Sequence, residues 1–281
     1  MKTALLISIV SNRYTVYSDG EMIVATAMGK LRLGEKPLVG DQVRIEEIDG
    51  EWRMQKILPR TNQLTRPAVA NVDQTLLVMS IKEPDFSYTL VDRLIFLIAS
   101  AGIEPVIVVS KADLASEEFL AEVLEEYKTY PVIVCGEGMP TQPLEDILEG
   151  KLSVLAGQSG VGKSSILNRI NPDFKLNTQG ISKALGRGKH TTRHNQLYNV
   201  AMGWIADTPG FSSLDFSSFD RRDFARNVPD FKPFFGECRY RDCLHVKEPG
   251  CRIKEAVELN EVSKRRYQHY LDCLDLIKEE S

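Results

Sequence analysis

The chain lacks any apolar run close to the roughly 20 residues that span a bilayer, and it has no internal repeat or low-complexity tract. The opening Leu5-Leu6-Ile7-Ser8-Ile9-Val10 run is short and soon followed by Asn12-Arg13, so it reads as a strand and not as an export signal. Neither sign of charge is in large excess. A formal net charge of −4 argues against promiscuous coating of nucleic acid and leaves local basic patches as the means of contacting it. Cysteine is scarce, at five residues, yet three of the five fall within one short segment near the end of the chain. What remains is a soluble globular composition, 43% hydrophobic over 281 residues, a length that suggests about two domains.

The most informative segment lies past the middle of the chain. Gly157-Gln158-Ser159-Gly160-Val161-Gly162-Lys163-Ser164, with Ser165 following, matches G-x-x-x-x-G-K-[ST]. In that pattern backbone N–H groups cradle phosphates, the lysine reaches the β and γ phosphates, and the hydroxyl residue holds Mg²⁺. Leu152 to Ala156 reads as a buried strand before it, and Ser164 to Arg169 as a helix after it, so a helix N-terminus faces the anion. Lys163 takes the phosphate role and Ser164 the Mg²⁺ role.

Upstream, the apolar run Glu104 to Val109 delivers Ser110-Lys111-Ala112-Asp113 to a strand's carboxyl end, where open α/β sheets bind ligands. This resembles the NKxD motif of GTPases, with Ser110 where asparagine is usual. An ionised Asp113 is acceptor-only, which suits the N1–H and exocyclic amine of guanine and not the edge of adenine. The resemblance lays the Lys111 stem across base and ribose. After a strand from Pro131 to Val134, Cys135-Gly136-Glu137-Gly138 fits either a base-contacting fifth motif or a plain strand-to-helix turn.

Downstream, Gly203 to Ala206 leads into Asp207-Thr208-Pro209-Gly210, which resembles the DxxG pattern of GTPases. That pattern implies that Asp207 holds Mg²⁺ through water and that the Gly210 amide meets the γ-phosphate. Gly186 to Arg193 is placed where a switch I loop belongs, and Thr192 is its expected Mg²⁺ ligand by likeness to translation-linked GTPases. Phe211 stands where many GTPases carry a water-orienting glutamine. His190 is therefore the candidate to position water, its other reading being an exposed or RNA-contacting histidine.

The motifs run base recognition, fifth motif, P-loop, switch I, switch II, which is a circularly permuted order. Such permutation is tolerated because domain termini tend to lie close together at the surface. The chain then leaves the GTPase domain just after switch II, so the tail is a candidate lever.

In that tail Cys238, Cys243, His245 and Cys251 form C-x₄-C-x-H-x₅-C, the composition of a closed structural zinc site. Disulfides are the weaker reading in a chain read as cytosolic. Cys135 and Cys273 read as inert small hydrophobes. A patterned helix from Val262 to Ile277 carries Lys264-Arg265-Arg266-Tyr267 beside His269-Tyr270. It is either a solvated surface or, next to a zinc module, an RNA-contacting face.

Residues 1–62 show five short strands, Ala4 to Val10, Tyr14 to Tyr17, Ile23 to Ala27, Gln42 to Glu47 and Trp52 to Ile57, compatible with an OB-like barrel. Arg32, Lys36, Arg44, Arg53 and Lys56 could meet phosphates there, and Tyr14, Tyr17 or Trp52 could stack on bases. Leu58 to Pro67 reads as a linker. The expected architecture is multidomain α/β, with an N-terminal OB-like β-barrel over 1–62, a central circularly permuted P-loop GTPase over 63–219 and a C-terminal helical zinc-binding domain over 220–281.

Together the barrel, SKAD, GQSGVGKS, GRGKHTTR, DTPGF and the Cys₃His spacing closely resemble the ribosome small-subunit-dependent GTPase A family over essentially the whole chain. The resemblance implies a cytoplasmic, monomeric GTPase with GTP/GDP, Mg²⁺ and one Zn²⁺. It also implies a role in late maturation of the 30S subunit, stimulation by that subunit and contact with 16S rRNA through the flanking domains. Other classes are a GTP-dependent RNA-binding switch without an assembly role, a P-loop ATPase or kinase, a passive RNA-binding module, and a zinc hydrolase. The last is disfavoured by a metal set with no open position.

Overall fold

The computed structural model describes residues 1–28, 36–65, 68–172, 196–206, 215–217 and 219–278. The alternating apolar residues of β1 (Lys2–Val10), β2 (Arg13–Ser18), β3 (Glu21–Ala27), β4 (Gln42–Ile48) and β5 (Glu51–Ile57) point Leu6, Val16, Ala25, Val43, Ile45 and Met54 inward. These strands close in the order β1-β2-β3-β5-β4. Closure removes the free strand edges that an open five-stranded sheet would expose.

The segment read as a linker is an ordered junction. β6 (Gln63–Thr65) pairs antiparallel with β7 (Ala68–Ala70), and the Arg60 guanidinium donates to Asp41 Oδ1 at 2.6 Å and Oδ2 at 2.8 Å. Asp41 is wholly buried, so this pair ties barrel to junction through a desolvated contact whose loss of one partner strands a charge.

Six strands form the second sheet, in the order β10-β9-β8-β11-β13-β12. β8 (Gln74–Ser80), β9 (Glu104–Ser110), β10 (Val132–Val134), β11 (Leu152–Ala156) and β13 (Gly203–Ala206) are parallel, and β12 (Leu197–Val200) is antiparallel to β13. Every residue of β8 is buried, as expected for a central parallel strand covered on both faces. The covering helices are α1 (Tyr88–Ser100), α2 (Glu117–Glu126), α3 (Gln142–Leu148) and α4 (Lys163–Ile170). The first two start at Ser87 and Ser116, whose side chains accept from Leu90 N and Phe119 N. Such caps contribute about 1 kcal/mol each.

The C-terminal part holds α5 (Arg221–Asn227), α6 (Arg252–Glu258) and α7 (Lys264–Leu274). Its core is continuous with that of the six-stranded sheet: Phe224 stacks on Tyr270 at 5.6 Å and meets Phe96 of α1 edge-on at 5.9 Å. The C-terminal part is thus seated on the flank of the sheet domain.

Part of the basic-aromatic face of α7 belongs to that seat, with Arg266 and Tyr270 buried and His269 half-buried, so these three do not form an RNA surface, while Lys264 and Arg265 remain exposed. Arg266 is buried among Asp92 of α1, Glu126 of α2 and Asp230, and it lies over the Tyr127 and Tyr130 rings. His269 Nδ1 is 2.6 Å from Asp92 Oδ2, and Arg265 covers the Tyr88 ring at 3.8 Å. Ser263 caps α7 by accepting from Arg266 N and donates to Glu126 Oε1 at 2.5 Å.

Candidate nucleotide site and metal centre

The carboxyl ends of the parallel strands β9, β10 and β11 come to one sheet edge, where Ser110, Cys135 and Gly157 stand at the start of the loops that follow. At Gly157, φ is +130° and a Cβ would lie 2.1 Å from Val78 O, so the loop approaches the sheet in a way only glycine allows. The chain turns through Gly160 and Gly162 into α4, whose first residue is Lys163. Lys163 Nζ donates to Gly157 O at 2.7 Å and Gln158 O at 2.6 Å, folding over the loop that it closes. Burial pulls its pKa down to about 8. Ser164 is buried in the first turn of the same helix.

Ser110 is 3% exposed, and its hydroxyl donates to Val161 O at 2.5 Å. The serine therefore ties the 110–113 loop to the glycine-rich 157–164 loop from the position where GTPases usually carry asparagine. Lys111 adopts φ 54°, ψ 34°, and its Nζ donates to the carbonyls of Lys82 and Glu83. Asp113 Oδ1 accepts from Glu137 N at 2.8 Å, and Ala112 N donates to Cys135 O at 3.0 Å. A Cβ at Gly136 would meet Asp113 Oδ1 at 2.6 Å. The 135–138 segment is thus packed on Asp113 and is more than a plain turn. Arg169, which sequence reasoning did not single out, donates from Nη1 to Gly136 O at 2.8 Å and from Nη2 to Met139 O.

The remaining expected nucleotide-site residues, Thr192, His190, Asp207, Gly210 and Phe211, lie outside the described residues, as does Arg32 of the barrel.

The ligand atoms of Cys238, Cys243, His245 and Cys251 all lie within 4.8 Å of one another. Cys238 Sγ is 4.0 Å from Cys251 Sγ, and His245 Nδ1 is 3.7 Å and 3.4 Å from those two sulfurs. Tetrahedral Zn–S bonds of about 2.3 Å would set sulfurs about 3.8 Å apart, so the set fits one zinc ion with no open position. Burial lowers the His245 pKa, keeping the imidazole neutral as a ligand must be, and pushes the Cys243 thiol up to about 12. A cation is what would offset three thiolates gathered there.

The shell around the cluster was not legible in the spacing. Glu248 accepts from the N–H groups of Leu244, Val246 and Lys247, and Tyr267 and Tyr270 donate to His245 O at 2.6 Å and Leu244 O at 2.7 Å. These contacts fix the ligand loop onto α7 and place His245 in the left-handed region at φ 59°. Cys135 and Cys273 are buried, and burial pushes their thiols up to about 11 and about 12, as expected of inert packing residues.

Of the barrel residues considered for RNA, Tyr14 is in the core and offers no stacking face, and the half-buried Tyr17 meets Trp204 edge-on at 5.0 Å. Arg53 is paired with Glu51 at 3.3 Å. Lys36 is exposed, Arg44 and Lys56 are exposed cross-strand partners, and Trp52 is half-buried under Lys2.

The family model described as RsgA GTPase matches residues 57–217. A small ribosomal subunit biogenesis GTPase RsgA of Shouchella clausii is 44% identical, the match covering 100% of this chain and 99% of that protein. The protein of the same name from Geobacillus kaustophilus is 42% identical, with 99% and 98% covered. Among solved structures, YloQ, described as a circularly permuted GTPase, superposes with a TM-score of 0.85 at 34% identity, over 100% of this chain and 97% of that one. YjeQ from Thermotoga maritima superposes with a TM-score of 0.84 at 37% identity, over 98% and 97%.

Proposed function

The chain belongs to the RsgA GTPase family and is a GTP-hydrolysing enzyme, and from that premise we propose that it acts in late maturation of the small ribosomal subunit, binding 16S rRNA and being stimulated by the subunit. The relatives carry small-subunit biogenesis in their names. The observation that carries the site assignment is one shared edge: the P-loop and Asp113 are joined through Ser110 Oγ and Val161 O, 2.5 Å apart. Phosphates and base of one nucleotide would then be held by two loops that cannot move independently.

In this reading the 157–165 loop cradles the phosphates and Lys163 balances charge on the transferring phosphoryl group. Ser164, with Thr192 and Asp207, would hold Mg²⁺, which supplies further charge neutralisation when bound. Asp113 accepts from the guanine edge, and the turn at 135–138 holds it in place. With Phe211 after Gly210, water positioning falls to another group, and His190 is our assignment. Slow hydrolysis by the free protein follows, because that constellation is completed only on the subunit. The four thiol and imidazole ligands would hold one structural Zn²⁺. We take the units to divide near residues 62 and 219, in a protein acting as a monomer in the cytoplasm.

For the C-terminal unit we assign the RNA contact to a surface beside the metal ligands. A cavity of about 280 Å³ beside the metal ligands is lined by Arg226 and Arg241 together with Phe235 and Tyr240, and by Arg222, which is paired with the lining Asp242 at 3.4 Å. These side chains are exposed, and Arg226 and Arg241 offer charge for phosphates beside rings for bases. On the barrel, Arg44 and Lys56 are the corresponding candidates.

GTP turnover with and without purified 30S subunits tests the proposal. Stimulation by the intact subunit supports it. Equal turnover in both, with RNA binding that still follows nucleotide state, would favour a GTP-dependent RNA switch without an assembly role.

A further inference from the structure

The base-reading part of the site is made by two loops from the first half of the sheet, whereas the phosphate-binding part belongs to β11 and α4. Side chains from both parts join them. Ser110 reaches from the base side to Val161 O, and Arg169 reaches back from the last turn of α4.

The Arg169 contact has a definite target. Its guanidinium donates to Gly136 O at 2.8 Å and to Met139 O, the two ends of the turn that Met139 N closes on Gly136 O at 3.2 Å. The middle of that turn is Glu137, whose N–H donates to Asp113 Oδ1 at 2.8 Å. Gly136 packs closely on Asp113, since a Cβ added there would lie 2.6 Å from the Asp113 Oδ1 and 2.8 Å from its backbone nitrogen. A planar fork spanning both carbonyls therefore fixes the height of the Glu137 amide, and through it the rotation of the Asp113 carboxylate.

We propose that Arg169 is a positioning residue for guanine specificity: by pinning the 136–139 turn it holds Asp113 in the rotamer that reads the 2-amino group. The proposal rests on Asp113 being the base reader. A purely structural role at the end of α4, where a cation complements the helix dipole, would contribute to stability but not to discrimination between bases.

The test compares affinity for GDP and for inosine 5′-diphosphate, which lacks only the 2-amino group, using the full-length protein with Mg²⁺. Wild-type protein is expected to prefer GDP. In Arg169→Ala the ratio of the two affinities is expected to fall by about tenfold, the scale of losing hydrogen bonds from a charged donor. Arg169→Lys, whose single ammonium reaches one carbonyl but cannot span two, should recover part of the ratio. It also serves as the readable variant should the alanine form fail to fold. A lower melting temperature with an unchanged ratio would overturn the proposal, as would no change in either quantity. A wild-type protein that does not distinguish the two nucleotides would instead overturn the reading of Asp113 on which the proposal rests.

Discussion

Arg266 Nε of the last helix lies 3.3 Å from Asp92 Oδ1 of the first, with side-chain exposures of 3% and 0%, although 174 positions separate them in the chain. Asp92 is shared further, accepting from the Tyr127 hydroxyl at 3.0 Å and facing His269. The contact is a desolvated charge network across the seam between the C-terminal unit and the GTPase sheet, completed on the sheet side by Glu126.

Removing the cation from this network would leave buried carboxylates without their partner. We expect Arg266→Met to destabilise the protein by about 3–5 kcal/mol. Hydrogen exchange should accelerate across 221–277 more than in β8 or β11. Arg265→Ala, at a side chain 39% exposed, should change stability by about 1 kcal/mol or less. Equal melting temperatures for Arg266→Met and wild type would show that the network does not hold the seam.

One Zn²⁺ per chain is expected in freshly purified protein. Chelation, or Cys251→Ser, should loosen α6, α7 and the 238–251 loop while GDP still binds, because the ligand loop is tied to α7 through Tyr267 and Tyr270 and not to the P-loop. Elemental analysis without zinc, with free thiols titrating fully, would refute the metal assignment.

At the base site, Asp113→Asn replaces one acceptor with a donor and should weaken GTP binding while relaxing its preference over ATP. Ser110→Ala removes the tie to Val161 O and the longer contact with Met79 O at 3.3 Å. A loss of about 0.5–1.5 kcal/mol, or a roughly two- to tenfold weaker affinity, is the expected size. Competition binding separates the two, since only the Asp113 change should alter base preference.

The lowered pKa of Lys163, about 8 in the free protein, gives nucleotide binding a pH signature. Phosphate favours the ammonium, so the bound pKa is higher than the free one. Affinity should be fully present below pH 8 and decline as pH rises above it. Calorimetry near pH 8.5 in two buffers of different ionisation enthalpy should detect proton uptake on GDP binding. No uptake would mean that Lys163 is already charged in the free protein at that pH.

Local pattern carried much of this architecture. The barrel strands fall within one or two residues of the alternating runs, and β11 coincides with the run Leu152 to Ala156, because period-2 burial and a glycine-bounded loop are written in adjacent residues. What depended on distant partners was not legible. Arg60 looked like linker because its partner Asp41 lies 19 positions away. The α7 stripe of Lys264 to Tyr270 has the same composition whether it faces RNA or acidic side chains, and only the fold brings Asp92, Glu126 and Asp230 to it. Arg169 escaped notice because a single arginine near a helix end has no spacing to reveal its carbonyl targets.

The position of β11 between β8 and β13 bears on how the chain is made. Synthesis proceeds from the N-terminus at about 5–20 residues per second, and the barrel has all its strands once residue 57 emerges. The base-reading strands β8, β9 and β10 come next, but the inner edge of β8 has no neighbour until β11 emerges after residue 151. During that interval the fully apolar stretch Leu76-Leu77-Val78-Met79 offers open backbone hydrogen-bonding groups to any other chain. Fragments ending near Gly150, and slowly translated nascent chains, are therefore the forms of this protein most prone to aggregate.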